Sequence, residues 1–284
     1  MACLTPLILK SSKGSKDRFV TEKVPCGRCP DCTKSRRSSW VYRLKEEDKY
    51  SLSSAFITYT YNDENLCWTK KGLATLNKKD HQDYIKRLRI NLKRLDYKEE
   101  IRYYTVGEYG TTTHRPHLHS IVFNLPNFIL DKIDLNNNSD ILGNIWQKGH
   151  VRIDEVTSSS IAYVAGYCQK KLAPIIQRPN DDREPEFSMM SKGLGKSFLT
   201  PQMVKFYQEN ELPYLIKEDG AKQIMPRYYK DKIYTDTQKL RIATKVKNYI
   251  EKNPRYRDDK HEYELVKHKF EERERLLREK RVKL

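Results

Sequence analysis

The chain has 284 residues, enough for one or two domains with a hydrophobic core. It is 37% hydrophobic and 33% charged, and 55 Lys and Arg against 38 Asp and Glu leave a formal charge of +17. A surplus of that size repels itself unless it meets a polyanion, so nucleic acid is the partner to expect; no apolar run or signal-peptide pattern points to a membrane.

With no leader, a cytoplasmic location with reduced thiols is expected, so the six cysteines need a reason other than disulfides. The nineteen tyrosines suit stacking on bases and hydrogen bonding to phosphate. Codon usage rich in Lys, Asn, Tyr and Ile explains them equally well.

Residues 1–32 read as a loop-like segment with closely spaced cysteines. A helix is expected over 33–50, with Trp40, Val41 and Leu44 on one side. The β-branched and aromatic run over 56–61 reads as a strand ended by Asn62-Asp63. Asn77 can cap the next helix, with Asp80 three residues on. Within it Tyr84, Ile85, Leu88, Leu92 and Leu95 form an apolar stripe. Strands are expected over 101–106, 117–123 and 149–156, with a turn through Thr111–Thr113 and Arg115-Pro116, and a helix over 160–172.

That order fits an α+β fold with helices packed on a mostly antiparallel sheet. From about Pro174 the sequence is irregular. Beyond Gln238 it is rich in Lys, Arg and Glu, and Tyr263, Val266, Phe270 and Leu277 stand at near-heptad spacing. This tail is either a thin amphipathic helix or a solvated one. Three regions result: a Cys-containing N-terminal segment with its helix (1–50), a central domain (51–175) and an irregular, then basic helical C-terminal region (176–284).

His117-Leu118-His119 puts two imidazoles on one face of a strand, where they can share a divalent metal. Leu118 is expected to face the core, as are Ile121 and Phe123. A plain pair of surface histidines beside a turn is the alternative. The shell needs a carboxylate, and Mg²⁺ or Mn²⁺ would suit it. A hairpin through 110–116 would bring Glu108 beside His117; otherwise Glu108 is an exposed carboxylate paired with Arg115. His114 could serve as a substitute ligand.

Tyr163 and Tyr167 are four residues apart, about 6 Å along a helix axis and on one face. Lys170 follows on the same side. A phenol with a pKa near 10 is a poor nucleophile unaided. A nearby ammonium and a metal-polarised phosphate would make its attack on phosphorus feasible. By itself the pair reads more plainly as an aromatic stripe in the core.

Cys26, Cys29 and Cys32, with Cys3, have spacings suited to tetrahedral Zn²⁺, or are simply small buried thiols. Cys67 and Cys168 have no such partners. Lys86, Arg87, Arg89, Lys93 and Arg94 on the helix over 78–95, and Arg115, are candidate DNA contacts, though a solvated face serves as well. In Gly193-Leu194-Gly195-Lys196-Ser197 the glycine that a phosphate-binding loop needs five residues before the Gly-Lys pair is Met190 instead, so no helicase domain is expected.

Taken together, these motifs resemble the two-tyrosine HUH endonucleases, and more narrowly the replication initiators of gokushovirus-type Microviridae. The resemblance runs from the N-terminus to about residue 200. It rests on Met1, Cys3 and Pro6, on Pro25-Cys26-Gly27-Arg28-Cys29-Pro30-Asp31-Cys32, and on Phe56-Ile57-Thr58-Tyr59-Thr60-Tyr61-Asn62-Asp63-Glu64. It continues through Gly107-Glu108-Tyr109-Gly110, Arg115-Pro116-His117-Leu118-His119, Tyr163-Val164-Ala165-Gly166-Tyr167 and Met190-Ser191-Lys192-Gly193-Leu194-Gly195-Lys196. Two positions depart from the usual pattern: His114 stands where Gly is usual, and the Met-Ser segment lacks a Pro.

The resemblance implies an RNA-recognition-like sheet with the metal histidines on a central strand. It implies nicking at the replication origin of a small circular phage genome in the bacterial host cytoplasm. Tyr163 or Tyr167 would take the 5′-phosphate and free a 3′-OH for host polymerase, with unwinding left to a host helicase. The other tyrosine would later cut the regenerated origin so that the displaced single strand closes. The competing readings are a non-catalytic origin-binding or packaging protein, a plasmid or transposon initiator of the same chemistry, and a basic virion protein.

Overall fold

The computed structural model describes residues 3, 5–11, 20–110, 112–134, 136, 138–170, 181–252, 264, 268 and 272. In chain order the strands β1 (Leu7–Ser11) and β2 (Val20–Val24) precede α1 (Pro30–Tyr50), β3 (Ser54–Tyr61), β4 (Cys67–Trp68) and β5 (Ala74–Thr75). Then come α2 (Lys78–Arg94), β6 (Arg102–Tyr109), β7 (Pro116–Phe123), α3 (Asn127–Leu130), α4 (Asp140–Trp146), β8 (Gly149–Glu155) and α5 (Ser158–Lys170). The chain closes with β9 (Phe187–Met190), α6 (Pro201–Asn210), β10 (Tyr214–Ile216), β11 (Lys222–Ile224), α7 (Arg227–Ile233) and α8 (Asp236–Lys252). Contacts divide it into two units, Trp40–Phe198 and Met1–Ser39 with Leu199–Leu284, and the division falls inside α1.

The Trp40–Phe198 unit is an α+β body on a five-stranded sheet, β8-β3-β7-β6-β9, in which all neighbours are antiparallel. Strand alternation separates its two faces. On one face Ala55, Ile57, Tyr59, Leu118 and Val122 meet the α2 stripe of Tyr84, Ile85, Leu88 and Leu92, with Trp146 of α4. On the other, Tyr104, Val106, Ile121 and Phe123 meet Leu44 of α1 and Ile161, Val164 and Ala165 of α5. Each large side chain so buried contributes roughly 1.5–3 kcal/mol. Leu118 faces one core, but Ile121 and Phe123 face the other. The expectation that all three point the same way fails because helices cover both sides of β7.

The Asn77 side chain caps α2 by accepting from the Lys79 amide at 3.0 Å. Asp80 is buried, accepts from the Tyr61 hydroxyl at 3.1 Å and pairs with Lys148 at 3.3 Å. Gly107 lies under Phe187, where an added Cβ would come within 2.9 Å of the ring. Strand β9 lies hidden in the stretch that reads as irregular, because four residues, Phe187-Ser188-Met189-Met190, carry no β-branched signal.

In the other unit, β1 and β2 pair antiparallel from Leu7 opposite Val24 to Ser11 opposite Val20, within the segment that reads as loop-like. Thr200 caps α6 ahead of Pro201, and Tyr207, Leu215, Met225, Tyr229 and Ile233 are buried. Tyr263, Val266, Phe270 and Leu277 lie outside the described residues. Among the described residues no helix is long and apolar enough to cross a membrane.

Candidate metal and tyrosine site

The β6–β7 hairpin builds the site. Its turn closes through the Gly110 amide on the Arg115 carbonyl (3.0 Å) and the His114 amide on the Gly110 carbonyl (3.1 Å). The register then sets Glu108 opposite His117 and Val106 opposite His119. Glu108 thus lies inside the strand, which runs to Tyr109 and not only to 106. Being two apart, both histidines face α5.

Three donors converge on one carboxylate oxygen. His117 Nε2 is 2.7 Å from Glu108 Oε1 and His119 Nε2 is 3.1 Å from it. The Tyr163 hydroxyl donates to the same atom at 2.9 Å, and the Tyr167 hydroxyl donates to Tyr163 at 2.5 Å. The far side of each imidazole is engaged: His117 Nδ1 lies 3.1 Å from the Arg115 carbonyl and His119 Nδ1 3.0 Å from Thr58 Oγ1. Phe56 stacks on His119 with the rings 7° from parallel. Tyr163 is 44% exposed and Tyr167 6%.

The electrostatics follow from this crowding. Burial alone would raise the Glu108 carboxyl, but hydrogen bonds from His117, His119 and Tyr167 outweigh it and hold it well below the usual carboxylate range. Burial pushes His117 down, and the Glu108 hydrogen bond and charge more than reverse it, leaving the imidazole above its ordinary value. Burial raises both tyrosines, and the Glu108 charge adds to this. Without a cation, the phenols therefore stay protonated at neutral pH.

The ion pair makes stability depend on pH. The lowered Glu108 contributes fully above its unfolded value near 4.5, and loses this as pH falls through its folded value. The raised His117 contributes fully below 6.5 and loses this as pH rises through its folded value. The pair is at full strength between these limits. In EDTA, the melting temperature of the wild type should fall between pH 6 and 8.5 by more than that of Glu108→Gln. Equal losses by calorimetry would remove the ion pair from the account.

The other site candidates are spread differently. His114 is exposed in the turn, at φ 52°, and is not in the converging group. The Arg115 guanidinium donates to the Tyr61 carbonyl at 2.6 Å and pairs with Asp63 at 2.8 Å. Helix α2 covers the opposite face of the sheet. There Arg87 donates to the carbonyls of Ile145 and Trp146 (2.8 and 3.1 Å) and Arg89 to that of Ile101 (2.6 Å), while Lys86, Lys93 and Arg94 are exposed. The Lys170 and Cys168 side chains lie outside the described residues. Cys3, Cys26, Cys29 and Cys32 gather their sulfurs within 4.8 Å of one another. Cys67 instead points its thiol at Asp80, 3.8 Å away.

Three neighbours escape the sequence reading. Thr58 and Phe56 share the histidines' face, and alternation along 56–61 paired with 117–123 is the signal that could find them. Glu186 directly precedes β9 beside Glu108, and its charge raises both His117 and Tyr163. No local signal marks it.

Comparison with known proteins adds to this geometry. A family model for the replication-associated protein ORF2 group matches residues 54–172, which hold the hairpin and both tyrosines. Replication-associated protein ORF2 of Spiroplasma virus 4 is 32% identical over 257 residues, 81% of this chain and 79% of that protein. The chain belongs to the replication-associated protein family of gokushovirus-type microviruses. Replication-associated protein VP4 of Bdellovibrio phage phiMH2K is 27% identical over 81% of this chain and 76% of its own length. Replication-associated protein ORF4 of Chlamydia phage 1 is 27% identical over 73% of this chain and 53% of its own length. No solved structure matches. As a member of this family the chain is a phage replication protein.

Proposed function

We propose that this protein nicks one strand of its phage origin and later rejoins it, through a phosphotyrosine bond formed by Tyr163 or Tyr167. The observation that carries this reading is the convergence of Tyr163, His117 and His119 on one oxygen of Glu108, with Tyr167 hydrogen-bonded to Tyr163. A purely structural role would not need three donors crowded on one buried carboxylate.

The fold supports it. The order β3-α2-β6-β7-α4-β8, arranged β8-β3-β7-β6 with α2 and α4 on one face, is the split βαβ pattern. It suits an RNA-recognition-like HUH domain over 51–175, with the histidines on a central strand and α5 on the face left by α2 and α4.

The donor set fits a divalent ion, Mg²⁺ or Mn²⁺. The Arg115 carbonyl can only accept, so His117 Nδ1 carries a hydrogen and its Nε2 is the coordinating atom. Thr58 orients His119 likewise. Glu108, His117 and His119 would hold the ion, which would polarise the scissile phosphate and offset the Glu108 charge that disfavours phenolate.

The remaining steps belong to the chain. Glu108 holds the Tyr163 hydroxyl in place. The phenol oxygen attacks phosphorus, the bond from phosphorus to the 3′-oxygen breaks, and the phenol's proton ends on the released 3′-OH. Rejoining runs the same exchange backwards: a 3′-OH attacks and the tyrosine regains its proton, so no nucleotide triphosphate is consumed. Lys170, three residues after Tyr167, would offset phosphate charge. The 3′-OH would prime host polymerase, and a host helicase would unwind the duplex.

The test is a set of labelled single-stranded oligonucleotides tiled across the phage genome, incubated with the protein in Mn²⁺ or in EDTA. One segment should give a protein–DNA adduct stable on a denaturing gel, with a free 3′-OH fragment, in Mn²⁺ only. Binding without cleavage of any segment would favour a non-catalytic origin-binding protein.

A further inference from the structure

The cysteine cluster takes no part in the chemistry above, yet it is organised. Cys26 follows β2, and Gly27 turns the chain at φ 74° so that the amides of Arg28 and Cys29 both reach Cys26 Sγ, at 3.4 and 3.3 Å. The Cys26 amide in turn donates to Cys3 Sγ at 3.2 Å. Cys29 Sγ lies 3.9 Å from Cys3 Sγ, and Cys32 sits in the first turn of α1. None of the four is in a disulfide.

The spacing is that of a metal shell. Four sulfurs bound tetrahedrally at about 2.3 Å from Zn²⁺ stand about 3.8 Å apart. The sulfurs here lie within 4.8 Å of one another, so closing the shell asks for a shift of about 1 Å at most. Backbone amides aimed at sulfur are poor partners for a neutral thiol and good ones for a thiolate. An all-sulfur donor set is soft and selects zinc over Mg²⁺ or Mn²⁺. With four protein ligands no position stays open for a substrate, which marks a structural site.

We propose that Cys3, Cys26, Cys29 and Cys32 bind one Zn²⁺ in a closed structural site, made of residues other than Glu108, His117 and His119. The ion fastens the chain ahead of β1 to the start of α1, and so closes the loop that carries the β1–β2 hairpin.

The full-length protein, purified without chelator, should contain about one zinc per chain and release it to a chromogenic chelator as about four equivalents of a mercurial are added. Replacing zinc by Co²⁺ should give an intense thiolate-to-cobalt charge-transfer band. The Cys29→Ser, Cys32→Ser protein should lose both signals, while Glu108→Ala keeps them. Should the double variant not fold, the mercurial titration and the cobalt spectrum of the wild type decide alone. Wild-type protein without stoichiometric zinc and without the cobalt band overturns the proposal. So does zinc that survives the cysteine changes and leaves with Glu108→Ala.

Discussion

The Tyr163→Phe, Tyr167→Phe protein should fold normally and form no covalent adduct with origin DNA, at least about 10³-fold below wild type. Phe keeps each ring, so Tyr167 still fills the core beside Val164 and Ala165, and Tyr163 still meets His119 edge-on. What is lost is the two hydroxyls, 2.5 Å apart, and the hydrogen bond to Glu108. The single variants should differ. Tyr163 is 44% exposed and Tyr167 only 6%, so DNA arriving from solvent meets Tyr163 first. Tyr163→Phe should slow the first cut more, and Tyr167→Phe should mainly impair strand closure. The readout is adduct yield on a denaturing gel, with circular dichroism as the folding check. Undiminished adduct from the double variant would place the nucleophile elsewhere.

Removing a histidine should cost about as much. His117→Ala and His119→Ala should each lower nicking roughly 10³-fold, the equivalent of about 4 kcal/mol of lost charge stabilisation. DNA binding should persist and weaken steeply with salt, because it rests on the basic surface and on release of condensed cations. The two sites will not be equally tolerant. His119 is buried under the Phe56 ring and bonded to Thr58, so Ala there also leaves a hole in the core. His119→Gln fills that space better and separates stability from chemistry. Mn²⁺ titration followed by calorimetry reads the ion directly. Cleavage by His117→Ala at wild-type rate in the presence of EDTA would defeat the metal mechanism.

Much of this site is legible in the sequence, and the reason is local periodicity. His117 and His119 share a face by strand geometry, and Tyr163 and Tyr167 share one by helix geometry. Glu108 is within reach because one short turn links it to His117. What stays hidden depends on pairing between distant segments. Glu186 reaches the site only because β9 adds to the far side of β6, some 80 residues away in the chain. The α2 cations look alike along the sequence, yet the carbonyls at the end of α4 occupy Arg87 and that of Ile101 occupies Arg89. Helix periodicity predicts the outward face of α2 and says nothing of which neighbour comes to meet it.

The β6–β7 ladder has a consequence for how chains of this kind can vary in length. A strand shows its residues to alternate sides, so inserting one residue between Gly107 and Glu108, or between Pro116 and His117, would turn the inserted segment's partners to the α2 side, where Leu118 now packs. Two inserted residues would restore the facing but move Glu108 away from His117. Gly110 to Arg115 lies outside the ladder and is free of that parity rule. Length changes should therefore gather in the turn, where His114 already stands in place of the usual glycine, and be absent from the strands on either side.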